Sequence, residues 1–378
     1  MLLDRNDVNP NTMNRYGQTP LFAAARDGNE GVVRTLLERG DVNPNTMDEY
    51  GQTPLDIAAY RGHEGVVKML PKPVDVSPNT ANNDGQPPSF GVACKGQKEF
   101  VEMPLDRNDI NPHTANQYRQ TLLFTAAREG DKRAMKMLLN RNDINPNTPN
   151  QHGQTPLFVA AWQGYDEVVK TLLERVDVNP NTADNYGQVP LIIASFGGNE
   201  GVVKMLLNRS DINPNTMNQY GDTPLFTAAQ KGHEGVVRML LERVGVNPNT
   251  TNIDGSPLCI AVQERHEGIV KMLLDRNDVN PNTVNQHGQT PLFLAARDGH
   301  ESVVKTLLER ADINSGVIDL AGQTALLQAQ KYGHDAIVKL LSEYRNSIPS
   351  LNGNGFAALS SPELPDPNQR PSKRIRRF

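Results

Sequence analysis

The stretch TPLFAAARDGNEGVVRTLL, residues 19–37, decides the fold. Thr19-Pro20 reads as a helix start. The threonine hydroxyl can accept from an orphan amide, and proline at the first helical position forfeits no hydrogen bond. The helix it opens, Pro20 to about Asp27, is short and alanine-rich (Ala23, Ala24, Ala25), and small side chains let neighbouring helices approach closely. Gly28 can take the left-handed conformation that ends such a helix. A second helix is expected from Glu30 to about Arg39, with Val32, Val33, Leu36 and Leu37 as one apolar stripe. Glu30 lies at its positive end and Arg39 near its negative end, in keeping with the helix dipole.

The same pattern recurs outward in both directions. Asp7, Asp41, Asp75, Asp109, Asp143, Asp177 and Asp211 stand 34 residues apart. Gly245 takes the next place, and Asp278 and Asp312 follow after one step shortened to 33. Ten units can be read, most opening with an Asn-Pro-Asn-Thr turn run that leads through a pair such as Tyr16-Gly17 into the next helix pair, while the tenth drops the run (Ser315, Gly316). Helices of about 8–10 residues fall below the roughly 12–15 that hold together alone in water. They must bury the Val/Leu stripe against neighbouring units, so stability is a sum over units and interfaces. A chain of 378 residues with 37% hydrophobic and 5% aromatic content is thin for one large core and suits such a stack.

Four copies carry a resemblance: TPLFAAARDGNEGVVRTLL (19–37), TPLFVAAWQGYDEVVKTLL (155–173), TPLFTAAQKGHEGVVRMLL (223–241) and TPLFLAARDGHESVVKTLL (290–308). The string resembles the ankyrin repeat, over about residues 1–345. The resemblance implies an all-α solenoid of about ten stacked helix-turn-helix units with projecting β-turn fingers. Two departures stand out. The family usually has His where this chain has Phe22, Phe158, Phe226 and Phe293, so apolar packing is expected to replace a hydrogen bond there. The connecting finger is also longer. With helices packing about 8–10 Å apart, ten units would extend roughly 80–100 Å.

Some units are imperfect. Pro71 and Pro73 end the second unit's second helix, while Ser89, Gly91 and Pro104 weaken the third. An interior proline costs about 3 kcal/mol in a helix. This region reads either as a decaying repeat tolerated by its neighbours or as a hinge. Arg119 and Arg265 replace glycines, and Val189 replaces the capping threonine. The tenth unit is more polar (Gln328, Gln330, Ser342, Glu343), as suits a terminal cap. Leu2-Leu3-Asp4-Arg5 matches the end of a second helix, which raises the expectation of a piece of a longer protein or a truncated gene model. Residues 346–378 shift to Asn, Ser, Pro and Gly and read as a disordered tail. Lys373, Arg374, Arg376 and Arg377 near its end form a candidate nuclear localisation cluster, or a solvated basic end without a specific role.

Charge and motif narrow the function classes. The net charge is −5, of which the tail contributes +3, leaving −8 on the array. An acidic array disfavours a phosphate backbone, so no nucleic-acid partner is expected. Two cysteines, Cys94 and Cys259, sit in different units, which fits a reducing compartment. No run of 18 apolar residues and no signal-peptide core is present, so neither a spanning helix nor a membrane partner is expected. The sequons at Asn208 and Asn249 read as chance matches. His-Glu recurs at His63, His233, His266 and His300, but without the second histidine of a metalloprotease helix, so it reads as a helix opening. No phosphate loop, dinucleotide fingerprint or zinc spacing occurs. No cofactor, metal, small-molecule substrate or catalytic residue is expected, and the chain reads as a non-enzyme.

Function then falls to surface recognition. The resemblance implies that partners meet the finger tips and the concave face of the first helices. The candidate partner-binding residues are Tyr16, Tyr50, Tyr186 and Tyr220 at finger tips, and Tyr60, Arg61, Arg128, Trp162, Tyr165, Phe196, Lys231 and Arg297 about the helices. Aromatic and arginine side chains are the commonest interface anchors. Trp162, Tyr165 and Phe196 read either as one apolar hot spot or as packing between units. A monomeric scaffold or adaptor in the cytoplasm, binding an unknown protein, is expected. The alternatives are the sensor region of a larger signalling protein, since long near-identical arrays resemble those of fungal NLR-type proteins, and a nuclear regulator imported through the basic tail. An enzyme with an appended array finds no catalytic segment.

Overall fold

The computed structural model describes residues 8–70, 81–86, 111 and 113–347. The expectations placed on Leu2-Leu3, Pro71, Pro73, Ser89, Gly91, Cys94 and Pro104, and on the tail from 348 with Lys373, Arg374, Arg376 and Arg377, lie outside those residues. Among the described residues there are 18 α-helices, and bridges of β type occur only as two isolated pairs.

Each unit begins its first helix as the dipeptide demands. Thr19 is extended and its hydroxyl accepts from Phe22 N at 3.2 Å, while Pro20 sits at the first helical position. Thr121, Thr155, Thr223 and Thr290 repeat this cap. Val189 cannot, and the helix Pro190–Gly197 starts without a side-chain cap. The first helices run for seven or eight residues, as in Pro156–Gln163. The second helices, such as Asp166–Leu173 and Glu200–Leu207, are of similar length. The last, Asp335–Ser347, is longer, with 13 residues.

First helices pack on the first helices before and after them, second helices likewise, and the pair within a unit closes the layer. One continuous core results. Phe22, Phe124, Phe158, Phe226 and Phe293 are at most 2% exposed, so apolar packing does occupy the place where a histidine is usual. Ile192, Cys259 and Leu327 hold that register in other units, and in the second unit a charged-type residue, Asp56, stands there and is still buried. Its carboxylate accepts from Thr53 N (2.7 Å) and from the Thr53 hydroxyl (2.6 Å). Burial pushes its pKa up to about 7 against those hydrogen bonds.

Four kinds of side-chain or finger contact tie unit to unit. The first is an asparagine clamp. Asn147 Nδ2 donates to the Asp177 carbonyl and its Oδ1 accepts from Asn179 N, both at 2.7 Å. Asn11, Asn215, Asn249 and Asn282 hold the next unit in the same two-sided way. The second is an arginine fork. Arg175 grips Asp177 through Nε and Nη2, and its Nη1 donates to the Leu139 carbonyl at the end of the preceding unit's second helix. Arg209 and Arg310 repeat it, and Arg276 donates to the Leu241 carbonyl. Arg39, read from sequence as a dipole partner, instead forks Asp41 and reaches the Val8 carbonyl.

The third tie uses the residue that precedes each second helix. His63 Nε2 bonds the Arg26 carbonyl at 2.9 Å, and His233, His266 and His334 do the same to Phe196, Gln230 and Arg297. None of His63, His233, His266 and His300 caps its own helix through its side chain. The fourth tie joins the fingers. Each finger is a turn such as Asn14–Gly17, closed by Gly17 N to the Asn14 carbonyl and by Tyr16 N and Gln18 N on Asn14 Oδ1. Glu49 N then bonds the Tyr16 carbonyl, Asn83 N the Tyr50 carbonyl and Gln117 N the Asp84 carbonyl, so the tips form a ribbon. In the fourth finger Arg119 stands at the glycine place with φ 59°.

Candidate partner-binding surface

The finger tips place one side chain per unit at one register, in the position before the turn glycine. Tyr16, Tyr50, Tyr186 and Tyr220 are there, 41–63% exposed. Tyr118 occupies the same register, 47% exposed, and sequence reasoning passed over it although its place in the repeat identifies it. Each tip is held by the Asx turn beneath it, and the carbonyls of Tyr16, Tyr50, Tyr118 and Tyr186 also accept a ribbon bond, so the rings project from a fixed backbone. Arg15 lies over the Tyr16 ring, with Cζ 4.6 Å from its centre.

The last turns of the first helices form the second row. Trp162 ends Pro156–Gln163 and is exposed. Its carbonyl and that of Ala161 accept from Asn199 Nδ2, so its backbone is anchored while the indole stays part exposed. Phe196 differs. It is half-buried against the core, and Lys231 Nζ sits 4.5 Å from the ring centre. Tyr165 precedes the helix Asp166–Leu173 and its ring lies over Gly130 of the preceding unit, close enough that a Cβ there would be 3.0 Å from it. Tyr60 and Arg61 end Pro54–Arg61 and are exposed.

Two candidate arginines are already engaged. Arg128 pairs with Glu129 and also reaches Gln120; Arg297 pairs with Asp298 and reaches Gln289. Their charges are locally balanced, whereas Lys231 in the row between them faces an aromatic ring. The central stretch, Trp162 through Lys231, is therefore the part of the row richest in aromatic surface.

Other candidates resolve into structural roles. Asn249 is a clamp whose Nδ2 is committed to the Asp278 carbonyl, so a glycan on that nitrogen would break the seam. Cys259 is buried beside Ser256 and Thr283, and burial pushes its thiol pKa up. Where a glycine stands near the start of several second helices, the preceding unit's carboxylate fills the space, as Glu200 does against Gly235. Lys132 and Glu167 exchange these roles and form an ion pair across their seam. No group of three or more potential metal ligands, and no helix long and apolar enough to cross a membrane, exists among the described residues.

The family comparison agrees with this repeat pattern. A family model described as ankyrin repeats (3 copies) matches residues 1–82, 90–184, 176–252 and 244–317. Among solved structures, the ankyrin repeat protein EF0377 is 27% identical, with 50% of this chain and 96% of that chain covered and a TM-score of 0.47. No curated protein matches the chain.

Proposed function

The chain belongs to the ankyrin repeat family, a family of protein-interaction modules, and from that premise we propose that it is a scaffold that binds a protein partner through its finger tips and the last turns of its first helices. The observation that carries the reading is the exposure of large aromatic side chains on an anchored backbone: Trp162 at 43%, with Tyr60 and the finger tyrosines exposed in other units. Such side chains supply most of the binding energy in protein interfaces, and leaving them in water has no benefit to folding. Lys231 beside Phe196 adds a cation to the central stretch. Phe196 and Tyr165 serve mainly to hold the seams beneath, so Trp162 is the anchor of the patch and its neighbours are its support.

The test is affinity capture with the array as bait, comparing the wild type with Trp162→Ala. The variant should keep the helical circular dichroism and melting temperature of the parent and lose a specific captured protein, by at least about tenfold for a hot-spot loss of 1.4 kcal/mol or more. Unchanged capture, or a collapsed fold, would count against the reading. The setting in which the scaffold works is a separate matter. The basic residues Lys373, Arg374, Arg376 and Arg377 favour a nuclear role, and residues 346–378 fused to a fluorescent reporter should concentrate it in the nucleus; a reporter that stays evenly spread rejects that role.

A further inference from the structure

We propose that the eighth unit, residues 245–277, is a built-in joint at which the array separates into two cooperatively folding blocks. Three successive seams around it each lose one of the four ties: the arginine fork between the sixth and seventh units, the finger ribbon between the seventh and eighth, and the histidine tie between the eighth and ninth.

The arginine fork fails first. Gly245 stands where other units place the carboxylate that grips the arginine two residues earlier, and Arg243 Nε is left buried without a hydrogen-bond partner. The finger ribbon breaks second. The finger is one residue shorter, closing as a bridge between Asn252 and Gly255. Backbone bonds between tips run as far as Gln219 N to the Tyr186 carbonyl, and resume only at Gln286 N to the Ile253 carbonyl. Between them the connection is a side-chain contact, Asn252 Nδ2 to Asp222 Oδ1 at 2.5 Å.

The histidine tie fails third, for a steric reason. In intact seams the histidine lies so close to the preceding unit's turn glycine that a Cβ would meet its ring, at 2.5 Å for Gly28 and His63 and 2.7 Å for Gly232 and His266. The eighth unit has Arg265 at that place, with φ 63° and a real Cβ. His300 cannot occupy the same position. It stays buried, 8% exposed, and its Nδ1 has no partner.

The asparagine clamps and the apolar core continue through the unit, so the array stays joined while its coupling weakens. In a quasi-one-dimensional stack, cooperativity is carried by the interface between neighbours. Three weakened seams in succession, ending at the strained Arg265, therefore set a boundary between opening units of the kind that hydrogen exchange resolves.

The test is hydrogen exchange followed by mass spectrometry on the full chain, comparing the wild type with Arg265→Gly. The joint predicts a step in protection at the eighth unit, with residues 291–347 exchanging as one group. Arg265→Gly removes the left-handed strain and readmits His300 to its tie. It should slow exchange throughout 291–347 by roughly tenfold, not only near residue 265. The converse variant, Gly232→Arg, should move the step to the seventh unit and speed exchange across 257–347. Protection that declines smoothly toward the C-terminus, or a response to Arg265→Gly confined to its immediate neighbours, overturns the proposal.

Discussion

Asp56 is the residue whose position departs most from its equivalents. A carboxyl group lies where five other units bury phenylalanine, and burial holds its pKa at about 7. An unfolded aspartate titrates near 3.9. The folded state therefore binds the proton more tightly, and this group's contribution is fully present below about pH 4 and lost as pH rises through 7. Stability should thus increase on acidification from pH 8 toward 5, by roughly 2–3 kcal/mol for a shift of this size. Denaturant melts at several pH values, with Asp56→Asn as the comparison, check this; a wild type and variant with the same pH slope would refute it. Below that window the trend reverses. The fork carboxylates, Asp177, Asp211 and Asp312 among them, are held below the usual range by their arginine hydrogen bonds and lose that stabilisation as pH falls through their lowered values. Sequence reading passed over Asp56, although its place in the repeat marks it, and the protonation it forces follows only from its burial.

At the scale of helices and turns, the reading from sequence succeeds where a single dipeptide dictates geometry. Thr-Pro starts, short helices and turn fingers all follow from local chemistry. It fails for contacts that span about 30 residues, because nothing local distinguishes the clamping asparagine from the turn asparagine beside it. The repetition of both residues in most units is the sign that each has a task. Two predictions belong here. Val189→Thr should restore the missing cap of Pro190–Gly197 and raise stability by about 1 kcal/mol in chemical denaturation. Asn147→Ala removes both bonds of one clamp, and since each is exposed and worth about 0.5–1.5 kcal/mol, the loss should be roughly 1–3 kcal/mol. A loss under about 0.3 kcal/mol would mean that the clamp follows the stacking rather than supporting it.

For the molecule as a whole, short helices that cannot stand alone build length instead of bulk. Solution scattering should show a bowed rod extending roughly 80–100 Å. A compact chain of this size would instead have a radius of gyration of about 21 Å, and finding that value would contradict the stacked arrangement. The candidate surface is legible in the sequence only as positions: the register names Tyr16, Trp162 and Lys231 but not whether each side chain is free. Exposure separates Trp162 from Phe196, and ion pairing separates Lys231 from Arg128 and Arg297.

The two-sided use of the asparagine amide has a chemical consequence over time. Slow hydrolysis of such an amide to a carboxylate would replace a donor with a negative charge facing a carbonyl oxygen, as at Asn147 against Asp177. Each such event would damage one seam and leave the rest standing. The protein would then age by gradual loosening, with older samples showing a spread of melting behaviour in place of a single sharp failure.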